Sequence, residues 1–301
     1  SAGLYTTGGV LAVLFWSSSV CVCGSLIPKL GTFTSAGLIY LLGGLLAALS
    51  LIPAGQLKSF CDISWRRLLF CGLPFILYIV LFYLAAGMAK DGRQLIEIGL
   101  LNYLWPAFSL LLSVPMQKRG ASVFLPLGVI VGISGIFMAS CSFNGGFSLG
   151  VFFSDMLSYP LQYALAFAGA VVWGVYCNLT RIFDKYSTAA DIPSFMLLSG
   201  LILLPIGLFS GEVQHWTPGI AWVLAATILF PSFLSCVLWD AAARRGNFVF
   251  VSAFAYLAPL FSTVMTGLVF NVPLSAGVWG ACLLTVAGAL ICHFSVKSMR
   301  S

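Results

Sequence analysis

The side chains best placed for chemistry in this chain are ring residues with a polar edge inside long apolar runs. They are Trp16, Tyr78, Tyr83, Tyr103, Trp105, Tyr163, Trp173, Trp239 and Tyr256, with Tyr176 in the same run as Trp173. A buried tyrosine needs a partner for its hydroxyl, so such residues face protein or water in preference to lipid. Aromatic walls with a few polar groups make a cavity suited to amphipathic solutes, aromatic amino acids among them. Ser17 and Asn102 could offer a substrate carboxylate a hydroxyl and an amide. Trp65, Trp216, Trp222 and Trp279 lie near run ends and read as an interfacial belt.

Ionisable groups inside the runs are few. Glu97 and Asp240 are the candidates for proton coupling, because an intramembrane carboxylate is a functional hypothesis by default. Arg93, four residues before Glu97, offers it an ordinary ion-pair alternative. The aspartates do not pair mid-membrane, and neither His215 nor His293 is central, so no nucleophile–base set or metal site is expected. An enzyme is therefore not expected, nor any cofactor. Deep Lys and Arg are also missing, which favours neutral or zwitterionic solutes over phosphorylated ones.

The elements that position these residues follow from composition. The chain has 301 residues, 60% of them hydrophobic and 7% charged, with a mean hydropathy of +1.06. Soluble domains carry about a quarter charged residues, so a cytosolic enzyme, a nucleic-acid binder and a disordered chain are excluded. Apolar runs of roughly 20 residues match the hydrocarbon thickness crossed by a helix. Ten spans are expected, at 8–27, 34–54, 67–88, 94–116, 123–141, 159–180, 192–210, 218–239, 247–270 and 274–295. The first reads as a permanent span, not a signal peptide. The nine cysteines have no repeated spacing and read as small core residues.

Charge sets the expected orientation. With the N-terminus inside, eleven of the fourteen cations fall on inner loops or the C-terminal tail, and only Lys29, Lys90 and Arg93 fall outside. This positive-inside bias places both termini in the cytoplasm and accounts for most of the net charge of +6.

The two halves of the chain match. Asn102-Tyr-Leu-Trp-Pro-Ala-Phe-Ser109 aligns with Ala255-Tyr-Leu-Ala-Pro-Leu-Phe-Ser262, and the alignment runs without gaps to Gly135 and Gly288. Residues 1–145 and 159–301 are thus expected to be two five-helix repeats joined by a linker at 146–158. An odd number of spans per repeat makes equivalent helices cross in opposite directions, as in secondary transporters with a midplane site. Pro106 and Pro259 occupy equivalent positions and should kink their spans, as hinges or cavity linings.

At these segments, and at Phe15-Trp16-Ser17-Ser18, the chain resembles the drug/metabolite transporter superfamily of the EamA type, most of all the YddG aromatic amino acid exporters of bacteria. Many relatives follow the repeat segment with Glu-x-x-Ser, where this chain has Lys118-Arg119-Gly-Ala-Ser122 and Asn271-Val-Pro-Leu-Ser275. The resemblance implies an all-α polytopic protein of ten helices around a central cavity. It also implies export of aromatic and other zwitterionic amino acids across the inner membrane by alternating access, without nucleic acid, the chain acting as a monomer. Export of drugs or other small metabolites by the same fold is the alternative.

Overall fold

A computed structural model describes residues 2–118, 120–143 and 156–296, apart from the side chains of Ala2, Ser140, Phe143, Asp240, Ala243, Arg244, Phe248, Val249, Ser252 and Ala253. Most of the expected linker lies outside the described residues, as does the side chain of Asp240. Among the described residues the regular structure is helical, apart from a single β-bridge between Ala121 and Val296.

In chain order the helices are α1 (Ala2–Ser17), α2 (Ser19–Leu30), α3 (Thr32–Ser50), α4 (Leu73–Gly87), α5 (Gly92–Asn102), α6 (Trp105–Gln117), α7 (Phe124–Phe143) and α8 (Pro160–Ile182). There follow α9 (Asp191–Phe209), α10 (Pro218–Thr227), α11 (Ser235–Arg245), α12 (Phe248–Ala255), α13 (Ala258–Val269) and α14 (Ala276–Ser295). Among the described residues, eight stretches are long and apolar enough to cross a membrane, and Phe124–Ala139 and Ala258–Val269 are shorter apolar helices. Several elements join into one stretch: Gly3–Leu30 contains α1 and α2, and Gly92–Gln117 contains α5 and α6.

Local chemistry explains the boundaries. Asp91 accepts from the Gln94 amide at 2.9 Å and starts α5, and Thr217 accepts from Ile220 at 3.2 Å and starts α10. Gly31, at φ +88°, turns the chain between α2 and α3. Its missing side chain leaves room for Glu212, which accepts from the Phe33 and Thr34 amides at 2.9 and 2.8 Å and so caps α3 from 178 residues away. Leu68–Gly72, ahead of α4, and Ile228–Leu234, between α10 and α11, are π-helical. Pro74 and Pro231 lie at these places, and a missing N–H favours such a local widening.

The matched segments of the two halves adopt matching backbones. The helix breaks at Tyr103 and Leu104 and again at Tyr256 and Leu257, with Pro106 and Pro259 each in the first turn of the following helix. Lys118 and Asn271, equivalent in the same alignment, both take left-handed conformations, at φ 55° and 51°. The expected kinks are therefore two-residue breaks in the helical hydrogen bonding. A proline in the first helical turn costs no hydrogen bond there, while the preceding helix loses its last acceptor contact.

Packing follows the same pairing. The most extensive helix contacts join α3 to α9 and α7 to α14. Gly37 lies against Leu204 and Gly44 against Leu197, while in return Gly200 lies against Leu41 and Gly207 against Thr34. As one number rises the other falls, so α3 and α9 run antiparallel. Small residues let these backbones meet closely, as membrane helices require where lipid supplies no hydrophobic drive.

Trp65, Trp216, Trp222 and Trp279 are among the exposed large apolar residues. All nine cysteines are free, six of them buried.

Candidate functional site

The broken helix α5–α6 positions the site. Its interruption falls at Tyr103 and Leu104, directly after Asn102. Asn102 is 6% exposed, and its Nδ2 donates to the Tyr78 hydroxyl at 3.3 Å. Tyr78 lies on α4 with its ring 4.4 Å from that of Trp173 on α8. Trp173 in turn is 6.4 Å from Trp105, edge to face, and 4.7 Å from Tyr176.

Further rings continue the cluster. Tyr78 stacks on Phe82, which meets Tyr83 edge on, and Tyr83 meets Tyr40 of α3 at 6.2 Å. Phe75 contacts Tyr40, Trp173, Tyr176 and Phe195 of α9. Four of the expected site aromatics, Tyr78, Tyr83, Trp105 and Trp173, thus share one cluster with Asn102, on α4, α6 and α8. Tyr103 lies close by, with its hydroxyl beside Ser262 of the other half.

The remaining candidates lie elsewhere. Trp16 and Trp239 form their own pair, 5.1 Å apart at 51°. The Ser17 hydroxyl is fully buried and donates to the Val13 carbonyl at 2.8 Å, within its own helix. The Tyr256 hydroxyl lies 3.0 Å from His293 Nδ1 on α14. Tyr163 donates to the Glu97 carboxylate, and both residues are 5% exposed. That carboxylate sits inside the protein with a phenol as partner.

Four rings of the cluster went unseen in the sequence, Tyr40, Phe75, Phe82 and Phe195; the three phenylalanines have no polar edge to mark them in an apolar run. Arg67, read from the sequence as an orientation signal, is 5% exposed and forms a buried ion pair with Asp191 on α9, at 2.5 Å between Nη2 and Oδ2. Its Nη1 donates to the Thr180 carbonyl at 2.9 Å, and Thr188 donates to the other Asp191 oxygen at 3.1 Å. A pair 124 residues apart leaves no signal in local spacing. Glu212, the cap on α3, escaped notice for the same reason.

A cavity of about 610 Å³ opens beside this ion pair, lined by Arg67, Gln117, Thr180, Arg181, Ile182 and Asp184. None of the expected aromatic residues lines it. Next to it, outside the spans, Lys185 and Arg66 beside the exposed Tyr186 hold its phenol below the usual tyrosine range. Among the described residues no group of three His, Cys, Asp or Glu is arranged to hold a metal ion.

The chain is similar to known proteins over most of its length. Residues 161–293 match the EamA-like transporter family. The chain is 27% identical over 299 residues to "Aromatic amino acid exporter YddG" of Salmonella typhimurium, covering 96% of each. It is also 27% identical over 292 residues to the protein of the same name from Escherichia coli (strain K12), again covering 96% of each. A third protein of that name, from Ancylobacter novellus, is 24% identical over 284 residues and 94% of each chain. One solved crystal structure aligns over 98% of both chains with a TM-score of 0.70 at 23% identity, a likeness of fold. The second half of this chain matches the EamA-like transporter family, and the proteins that the whole chain resembles are membrane transporters and not enzymes.

Proposed function

We propose that this protein exports amino acids, aromatic and other zwitterionic ones, across a bacterial inner membrane by alternating access. The observation that carries the proposal is the ring cluster of Tyr78, Trp105 and Trp173 beside the interrupted helix at Asn102. Rings supply the apolar walls an aromatic side chain needs, and the interrupted backbone supplies polar groups without fixed charge. Curated relatives named as aromatic amino acid exporters support the same substrate class.

In this reading ten spans form two inverted five-helix repeats, 1–145 and 159–301, around a central substrate path. The reciprocal antiparallel contacts of α3 with α9, and the equivalent breaks before Pro106 and Pro259, support that arrangement. Repeats related in this way allow one fold to open alternately to either side. Pro106 and Pro259 would serve as the hinges, and Trp16, Tyr83, Tyr103, Trp239 and Tyr256 as residues met along the path. The positive-inside bias supports cytoplasmic termini, and the monomer is the functional unit.

Counterflow in proteoliposomes tests the reading. Purified protein is expected to exchange radiolabelled Phe, Trp and Thr. Rapid exchange of a lipophilic cation drug with none of any amino acid would overturn it.

A further inference from the structure

We propose that Asn102 and Tyr78 together read the charged end of the substrate, Asn102 Oδ1 accepting from the ammonium and the Tyr78 hydroxyl donating to the carboxylate. The inference rests on the amino-acid reading above and narrows it to one subsite in one half of the chain.

Three observations converge there. Asn102 Oδ1 is buried with no hydrogen-bond partner, although Nδ2 of the same amide is engaged by Tyr78. A buried acceptor left unpaired is costly, and a ligand donor removes that cost. Pro106 has no N–H, so the backbone carbonyl of Asn102, four residues earlier, also lacks its helical donor. One residue therefore presents two acceptors where the helix ends. Because the Tyr78 oxygen accepts from Asn102, its own hydrogen is left to donate, and no acceptor for it is found among the described residues.

The surroundings fit a zwitterion. The ring of Trp173 lies beside Tyr78, and Trp105 lies beyond it, so an ammonium at Asn102 sits among rings of the kind that attract cations. Dipoles alone suffice for a ligand whose two charges nearly cancel, and they act strongly where water is excluded. The equivalent position in the second half is Ala255, which has no polar side chain, so the subsite is confined to the first half.

Substrate analogues that lack one charge provide the test. Counterflow of radiolabelled phenylalanine is measured in proteoliposomes against 3-phenylpropionate, which lacks the ammonium, and phenethylamine, which lacks the carboxylate. Wild-type protein is expected to favour phenylalanine over each analogue by at least about tenfold, since a site built to pair a polar group rejects ligands without it. Asn102→Leu is expected to raise the phenylalanine KM about tenfold and to let 3-phenylpropionate compete as well as phenylalanine. Tyr78→Phe is expected to lose the discrimination against phenethylamine. Asn102→Asp, which keeps both acceptors, should strengthen binding of phenethylamine.

The inference fails if Asn102→Leu, eluting as a single folded species, keeps the wild-type KM and analogue ranking. It also fails if that variant loses discrimination against phenethylamine instead, because the amide would then be holding the carboxylate. Absence of any phenylalanine exchange by wild-type protein is a different result, which removes the amino-acid reading itself.

Discussion

Gly135 and Gly288 occupy the same place on opposite sides of the contact between α7 and α14. A methyl group on Gly135 would lie 2.6 Å from the Ala281 carbonyl oxygen, and one on Gly288 would lie 2.5 Å from the Gly128 carbonyl oxygen. The sequence alignment that pairs Gly135 with Gly288 also pairs Gly128 with Ala281, so the two contacts are one contact seen twice. The obstruction at each is backbone, which cannot rotate away. Gly288→Ala is expected to destabilise the folded protein by about 1–3 kcal/mol, the usual cost of overpacking. Thermal unfolding in detergent measures it, and an unchanged midpoint would mean that α7 and α14 are not in this contact.

The Arg67–Asp191 pair ties the start of the third span to the start of α9. Removing one member of a buried pair leaves the other charge without compensation, which costs about 3–5 kcal/mol. Arg67→Met is expected to lower the unfolding midpoint and the yield of folded protein far more than Lys58→Met, whose side chain sits on an exposed connection. Equal effects of the two substitutions would show that Arg67 acts only through membrane orientation.

Glu212 holds the N-terminus of α3 with both carboxylate oxygens, where the helix dipole also favours negative charge. Glu212→Gln keeps one acceptor and removes the charge. A loss of about 1 kcal/mol is expected, within the range for helix caps, and Glu212→Ala should cost more. Hydrogen exchange at the Phe33 and Thr34 amides would rise in both variants, a local signature that unfolding midpoints alone do not give.

Trp173 contacts four rings of the cluster. Trp173→Phe keeps a ring face and is expected to preserve exchange of phenylalanine. In Trp173→Ala the KM should rise about tenfold, the equivalent of 1.4 kcal/mol and near the upper worth of an aromatic pair. Thr exchange should change less, since its side chain has no ring to stack. A uniform loss for both substrates would assign Trp173 to packing.

Glu97 is the carboxylate best placed for coupling, buried and held by Tyr163. Glu97→Gln still accepts a hydrogen bond from Tyr163 but carries no titratable proton. An imposed pH gradient is expected to alter the rate of wild-type exchange and to leave that of Glu97→Gln unaffected. A variant that responds to the gradient like wild type would remove Glu97 from any coupling role.

Much was legible in the sequence by itself. Apolar runs of bilayer length dictate helices, because unpaired backbone cannot be tolerated in lipid. The Tyr-Leu-x-Pro-x-Phe-Ser segments at 103–109 and 256–262 mark where those helices break, since proline acts on its own immediate backbone. Tertiary structure decided what depended on partners distant in the chain. It gathered Tyr78, Trp105 and Trp173 into one cluster and sent Trp16 to Trp239, Tyr163 to Glu97 and Tyr256 to His293. It turned Arg67 from a loop cation into half of a buried pair, and Glu212 into the cap of a helix 178 residues away. Hydropathy and local stereochemistry act over a few residues and can be read in order. Ring contacts, ion pairs and the unpaired oxygen of Asn102 exist only once separate helices meet.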